Sequence, residues 1–147
     1  DSRMRHRNAR VTIERLFERR CVVPIINEND SVAVEELKFG DNDRLSAEVA
    51  ILASADLLIL LTSVDGLLDE TGAPVKQVED FELASGLVRE EKGRFSVGGM
   101  QSKLQAVKMA IDAGIPTAIA SGRKPGRIAG IVNGRKGGTR FKPLTNG

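Results

Sequence analysis

The stretch Leu57-Leu58-Ile59-Leu60-Leu61 is an uninterrupted apolar run that passes directly into the polar residues Thr62-Ser63. A continuous run of this length is typical of a parallel strand that is buried on both faces of a sheet. Similar short runs occur at residues 22–26 and 117–120. Because segments with helical spacing separate these runs, the chain should form βαβ crossovers. We therefore expect an α/β fold, a three-layer αβα sandwich with a mainly parallel sheet.

The remaining elements follow from apolar spacing and from turn residues. Asp41 or Asn42 can cap a helix that follows, and Gly114 stands where a left-handed helix cap is wanted. A charged excursion or hairpin is expected over residues 31–39. Helices are predicted over residues 8–20, 41–53, 78–88, 100–113 and 128–132, and a last strand over residues 139–141.

The composition limits the class of protein. The 147 residues are enough for one domain, and 41% hydrophobic with 29% charged residues is ordinary for a globular protein. A net charge of +2 and the absence of Trp and Tyr do not favour a nucleic-acid partner. Neither a membrane-spanning run nor a signal peptide is visible, so a cytoplasmic location is expected. The single cysteine, Cys21, abuts an apolar run and is predicted to be a buried, inert thiol.

Polar loops follow each of the three apolar runs, at residues 27–30, 62–65 and 121–124. Because ligands of open α/β sheets bind outside the carboxyl ends of the strands, these loops can share one rim. Taken singly, each loop could be only a capped turn, since Asn, Asp and Ser hydrogen-bond local backbone. Taken together with Gly40-Asp41-Asn42-Asp43, they favour a binding site.

The glycine pair Gly98-Gly99 precedes the predicted helix that carries Lys103. Glycines allow the backbone to approach an anion, and a helix N-terminus presents free N–H groups. The spacing is neither that of a P-loop nor that of a dinucleotide fingerprint, and a plain hinge is the alternative.

These groups suit phosphoryl transfer, which needs positioning and compensation of charge on the moving phosphate. Lys103 could supply that charge, and Asp43 could hold a lysine in place. Asp30 and Asn42 are suited to orienting a zwitterionic substrate.

In this order, the residues resemble glutamate 5-kinases, a branch of the amino acid kinase family. The resemblance covers nearly the whole chain. The matching stretches are Asn8-Ala9-Arg10, Pro24-Ile25-Ile26-Asn27-Glu28-Asn29-Asp30, Phe39-Gly40-Asp41-Asn42-Asp43, Ala55-Asp56-Leu57-Leu58-Ile59-Leu60-Leu61-Thr62, Val64-Asp65-Gly66-Leu67, Gly98-Gly99-Met100 with Lys103, Ala113-Gly114-Ile115-Pro116, and Ala120-Ser121-Gly122.

The resemblance implies ATP-dependent phosphorylation of the L-glutamate side-chain carboxylate to glutamyl 5-phosphate, the first step of proline biosynthesis. Mg²⁺ would be carried by the nucleotide rather than by protein ligands, and the full-length protein would be a homo-oligomer. Asp30 and Asn42 would bind glutamate, Asp43 would organise the catalytic lysines, and Lys103 would stabilise the transition state. The ATP-binding residues implied are Thr62, Ser63 and a covering loop of Val97, Gly98, Gly99, Met100, Gln101, Ser102 and Lys103.

The chain also departs from this family. The family usually has Thr-Asp where this chain has Thr62-Ser63, and Thr where it has Val97. Its N-terminal half, with a catalytic lysine and a glycine-rich phosphate loop, has no counterpart here, and Asp1 leads almost directly into a helical pattern. Residues 1–147 are thus expected to be the C-terminal, nucleotide-binding part of a kinase domain, inactive alone.

Two rival functions stay open. A kinase of the same fold could act on another small carboxylate or phosphate, although Asp30 with Asn42 favours glutamate. The second rival is a non-catalytic binding or assembly module, although such a module would need neither Asp43 nor Lys103.

Overall fold

The computed structural model describes residues 2–19, 21–27, 41–90, 97–135 and 137–143. Its four-stranded sheet consists of β1 (Leu58–Thr62), β2 (Gln77–Val78), β3 (Thr117–Ser121) and β4 (Thr139–Phe141), in the order β1-β3-β4-β2. The β1–β3 and β2–β4 pairs are parallel, and β3 runs antiparallel to β4. The expectation of an α/β fold with a mainly parallel sheet is confirmed.

Helices cover both faces of this sheet. The helices of the described residues are α1 (Ser2–Phe17), α2 (Asp41–Leu52), α3 (Phe81–Glu90), α4 (Val97–Asp112) and α5 (Arg127–Val132), of which α2, α3, α4 and α5 pack on the sheet. On one face Leu58 and Leu60 of β1 join a core with buried residues of α2, α3 and α4. On the other face, Ala118 and Ala120 of β3 pack with Ile131 of α5. The three layers that the alternation of strands and helices predicts are therefore present.

The helix ends follow local chemistry. The carboxylate of Asp80 accepts a hydrogen bond from the N–H of Glu82 at 2.9 Å, which caps the start of α3. Gly114, just beyond α4, has a φ of 83° and thus adopts the predicted left-handed cap. None of the helices that the structure describes is long and apolar enough to cross a membrane.

The first predicted strand is wrong. Residues 21–27 are not in a strand, and the side chain of Ile25 is 93% exposed. A strand needs a hydrogen-bonded neighbour, and within the described part of the chain none pairs with this segment. Cys21 beside it is exposed, so the prediction of a buried thiol is also wrong. The hairpin predicted at residues 31–39 lies outside the described residues.

A buried threonine joins the loop after β1 to β4. The hydroxyl of Thr139, which is fully buried, accepts a hydrogen bond from Leu67 N at 2.8 Å and donates one to Val75 O at 2.6 Å. Gly66 passes so close that a Cβ there would collide with the same hydroxyl, and its φ of 106° also favours glycine. Thr139 therefore sets the path of the chain as it leaves β1.

Replacing Thr139 by valine keeps the shape of the side chain but leaves the buried N–H of Leu67 and the half-buried C=O of Val75 without their partner. We expect Thr139→Val to lower the free energy of unfolding by about 2–4 kcal/mol. Thr117→Val is the matched control, since the buried Thr117 hydroxyl makes a 3.2 Å bond to Ile115 O within its own segment; it should cost less than about 1.5 kcal/mol. Urea unfolding of both variants measures the difference, and equal losses would contradict the role given to Thr139.

Candidate active site

The topology brings the starts of α2 and α4 to the carboxyl ends of β1 and β3. Each helix leads through a short connection into its strand and packs against the same face of the sheet. At 1.5 Å per residue, Asp43 lies about 14 Å before the end of α2, and Lys103 a similar distance before the end of α4. A strand of this length also spans about 16 Å. Asp43 and Lys103 therefore lie level with Thr62 and Ser121, which are opposite each other in the β1–β3 register.

Asp43 and Lys103 form an ion pair across the two helices. The ammonium of Lys103 donates to both carboxylate oxygens of Asp43 at 3.1 Å. The side chains are only 15% and 18% exposed, so solvent screens the pair weakly. Ser46 donates to the backbone carbonyl of Asp43 at 2.6 Å and steadies the first turn of α2. The pair joins residues 60 positions apart and fixes where the Lys103 ammonium points.

Of the two predicted substrate-binding residues, the structure describes Asn42 but not Asp30. Asn42 precedes Asp43 in the first turn of α2, and its side chain is exposed at this edge of the sheet. Asp30 lies outside the described residues, so its role stays a prediction. The structure thus brings Asn42, Asp43 and Lys103 together at the strand ends.

The predicted covering loop at residues 97–103 is wrong in its secondary structure, because α4 already begins at Val97. Lys103 is consequently in the second turn of the helix rather than in the first. Gly98 and Gly99 remain in the first turn, where backbone N–H groups have no intrahelical acceptor. Apart from the two neighbouring residues and the nearby backbone of α4 itself, no described atom lies within 4 Å of the position that a Cβ on Gly99 would take. The described residues therefore leave space beside Gly99.

The other predicted nucleotide residues occupy different environments. Met100 is half-buried and packs against the core, whereas Gln101 points into solvent. Ser102 is half-buried beside Lys103. At the end of β1, Thr62 is half-buried and Ser63 is exposed. Thr62 shares a sheet face with Leu58 and Leu60, which is the face that α2 and α4 cover.

A second charged cluster lies at the same strand ends, and the sequence analysis missed it. The Asp65 carboxylate accepts hydrogen bonds from Ser121 N at 3.2 Å, Lys124 Nζ at 2.8 Å and Arg127 Nη2 at 2.5 Å. The hydrogen bond from Lys124 is the main cause that lowers the pKa of Asp65, and the Ser121 N–H and the charge of Arg127 lower it further. Asp65 and Lys124 both stood in predicted rim loops, and the parallel register of their strands was the available signal that they would meet. Arg127 begins α5 and carried no such signal.

Comparison with known proteins decides the family. A sequence profile described as "Amino acid kinase family" matches residues 1–121. The chain belongs to the amino acid kinase family. Within that family, its relatives include glutamate 5-kinases from Trichlorobacter lovleyi, 44% identical over 99% of this chain, and from Aquifex aeolicus, 45% identical over 95% of it. The resemblance stated from the motifs is thereby confirmed.

The chain covers less than half of the length of these relatives. It spans 40% of the length of the Trichlorobacter protein and 38% of the Aquifex protein.

Two solved structures resemble this chain in fold. N-acetylglutamate synthase from Neisseria gonorrhoeae matches with a TM-score of 0.57 at 20% identity, over 68% of this chain and 23% of that one. Carbamate kinase from Giardia lamblia bound to AMP-PNP matches with a TM-score of 0.53 at 24% identity, over 69% of this chain and 32% of that one. At these identities the likeness concerns the fold alone.

The coupling energy between Asp43 and Lys103 should exceed that of an exposed ion pair within α4. A double-mutant cycle of Asp43→Asn and Lys103→Met should give a coupling of about 1–3 kcal/mol, because each single change leaves a mostly buried charge without its partner. The control is the exposed i,i+4 pair Lys108–Asp112, with 2.6 Å between Nζ and Oδ1, for which about 0.3–0.5 kcal/mol is expected. For each pair, chemical unfolding of the wild type, the two single variants and the double variant gives the coupling energy. Equal couplings would show that the partial burial does not strengthen the pair.

Proposed function

We propose that this chain is the C-terminal, nucleotide-binding part of an ATP-dependent kinase that phosphorylates the side-chain carboxylate of L-glutamate to L-glutamyl 5-phosphate, the first step of proline biosynthesis. The observation that carries the proposal is the weakly solvated ion pair between Asp43 and Lys103 at the strand ends. Its support from relatives is the 44–45% identity to proteins named glutamate 5-kinase.

The chemistry asks for positive charge at a defined point. A side-chain carboxylate oxygen of glutamate attacks the terminal phosphorus of ATP, the new P–O bond forms, and the bond to the bridging oxygen breaks to release ADP. Negative charge on the transferring group must be met by fixed donors. Lys103 would supply such a charge, and Asp43 would hold the ammonium in place without forming a bond to phosphorus.

The nucleotide would lie between the start of α4 and the end of β1. The first-turn amides at Gly98 and Gly99 can donate to phosphate oxygens, with the positive end of the helix dipole behind them. Thr62 and Ser63 would border the nucleotide from β1, and Val97, Met100, Gln101 and Ser102 belong to the same first turns of α4. Catalytic and ATP-binding groups would thus share the edge at which both strands end.

Glutamate would approach from the start of α2. Asn42 can both donate and accept hydrogen bonds, and Asp30 can accept from the substrate ammonium. We assign Mg²⁺ to the phosphates of ATP. We further propose that the full-length enzyme is cytoplasmic and homo-oligomeric.

Residues 1–147 alone should not turn over glutamate, because charge on the phosphoryl group must be met from two sides and Lys103 with the α4 amides forms one of them. Turnover is therefore tested after adding the N-terminal part of a glutamate 5-kinase relative as a fused or co-expressed segment. Binding of ATP can be tested on the chain itself.

Gly99→Ala should separate helix stability from nucleotide binding. An added Cβ meets no described atom, so the helix should gain about 0.5–1 kcal/mol while the phosphates lose their close approach and ATP binding weakens about tenfold or more. Gly86→Ala is the matched control: Gly86 also lies in a helix with open space around its Cβ position. It should stabilise the chain equally and leave the affinity for ATP unchanged. Calorimetric ATP titration and thermal unfolding give both quantities; unchanged ATP affinity in Gly99→Ala would place the phosphates elsewhere.

Lys103→Met in the completed kinase should lower kcat by about 10²–10³ and change KM for glutamate far less, because a charge used mainly in the transition state behaves in this way. Lys108→Met, on the same helix but in an exposed pair with Asp112, should retain wild-type kcat. A coupled ADP-release assay with hydroxylamine trapping of the acyl phosphate measures both. Wild-type turnover by Lys103→Met would remove Lys103 from the mechanism.

A further inference from the structure

The loop after β1 is held by hydrogen bonds on either side of two exposed residues. The carbonyl of Thr62 accepts from Gly122 N at 2.9 Å, which continues the β1–β3 ladder. Farther on, Leu67 N donates to the buried hydroxyl of Thr139 at 2.8 Å. Ser63 and Val64 stand between these points and are exposed.

Asp65 is the group that fixes this exposed stretch. Its carboxylate lies next to Val64 and binds the turn that connects β3 to α5 through Ser121 N, Lys124 and Arg127. Hydrogen bonds between ionised partners are about twice as strong as neutral ones. The three donors come from residues 56–62 positions away, so the carboxylate ties two separate loops at the strand ends to each other.

Removal of this charge should act locally. The β1–β3 ladder and the bonds of Thr139 do not involve the Asp65 side chain, so both ends of the loop would stay in place. The part that would lose its support is residues 63–64, beside Thr62 and level with the start of α4.

We propose that Asp65 is a positioning residue for nucleotide binding: by tying the β3–α5 turn to the loop after β1, its carboxylate holds Ser63 and Val64, next to Thr62, in the arrangement that receives ATP. This inference rests on the proposed function, which places ATP between this loop and the start of α4. It adds a residue that acts through others and does not itself touch the nucleotide.

Two substitutions at Asp65 separate charge from shape. Asp65→Asn keeps the shape but removes the charge, and it should weaken ATP binding by the chain about tenfold. Asp65→Glu keeps the charge and should stay within about threefold of the wild type. A purely packing role would give the opposite order, because Asn fits the space better than Glu. Calorimetric titration with ATP, well below the melting temperature of each variant, measures the affinities.

The matched control is Asp69→Asn in the same loop region. The Asp69 carboxylate also accepts several hydrogen bonds, from Thr71 N at 2.9 Å, Thr71 Oγ1 at 2.6 Å and Ala73 N at 2.9 Å, but all are local to its own turn. Removal of the Asp69 charge should leave the affinity for ATP within about twofold of the wild type. If Asp65→Asn fails to fold, Lys124→Met carries the test, because Lys124 is 56% exposed and its loss should cost about threefold in affinity.

The outcomes are distinct. Weaker binding by Asp65→Asn, with Asp65→Glu near wild type, supports the inference. Wild-type affinity in Asp65→Asn, an equal loss in Asp65→Glu, or an unchanged Lys124→Met where that variant carries the test would overturn the inference alone. A folded wild-type chain that binds no ATP would overturn the proposed function and the inference with it.

Discussion

The parallel pairing of β1 with β3 is the constraint on which the rest of this structure depends. Because the two strands run in the same direction and in register from Leu58 with Thr117 to Thr62 with Ser121, both end at one edge. The helices that precede them must then start at that edge. Asp43 and Lys103 come together on the α2–α4 side for this reason, and Asp65 meets Arg127 of α5 at the same ends.

The two ion clusters differ in what they can contribute. A partly buried pair such as Asp43–Lys103 adds little net stability, because the cost of removing both charges from water offsets most of their attraction. What the pair does is hold an ammonium at a fixed point, as the proposed phosphoryl transfer would require. The cluster at Asp65 has more cations than carboxylates and greater exposure, and it connects loops rather than helices. The Asp43–Lys103 pair thus orients a charge, whereas the Asp65 cluster connects the two loops beside it.

Much of the fold could be predicted from single segments because their signals are local. The apolar runs at β1 and β3 form parallel strands as predicted, although Leu61 of β1 is 45% exposed whereas every residue of β3 is buried. Gly114 takes the left-handed cap since glycine has no Cβ to oppose it. The motifs also sufficed to predict the family, and the match of the family profile to residues 1–121 confirms that resemblance. Asp43 and Lys103 could be proposed together from chemistry before any distance was known.

Local signals were insufficient wherever a second segment decides the outcome. Residues 22–26 have the composition of a strand, but a strand exists only with a neighbour to take its hydrogen bonds, so the exposure of Ile25 could not be read from them. Likewise, the glycine pair suggested a loop, but α4 begins at Val97 and Gly98 and Gly99 are helical. The sequence by itself determined the strands β1 and β3 and the left-handed cap at Gly114, because these depend on local chemistry. Which charges meet, as Asp65 and Arg127 do across 62 positions, was decided by the tertiary structure, because only the packed sheet brings those loops within hydrogen-bonding distance.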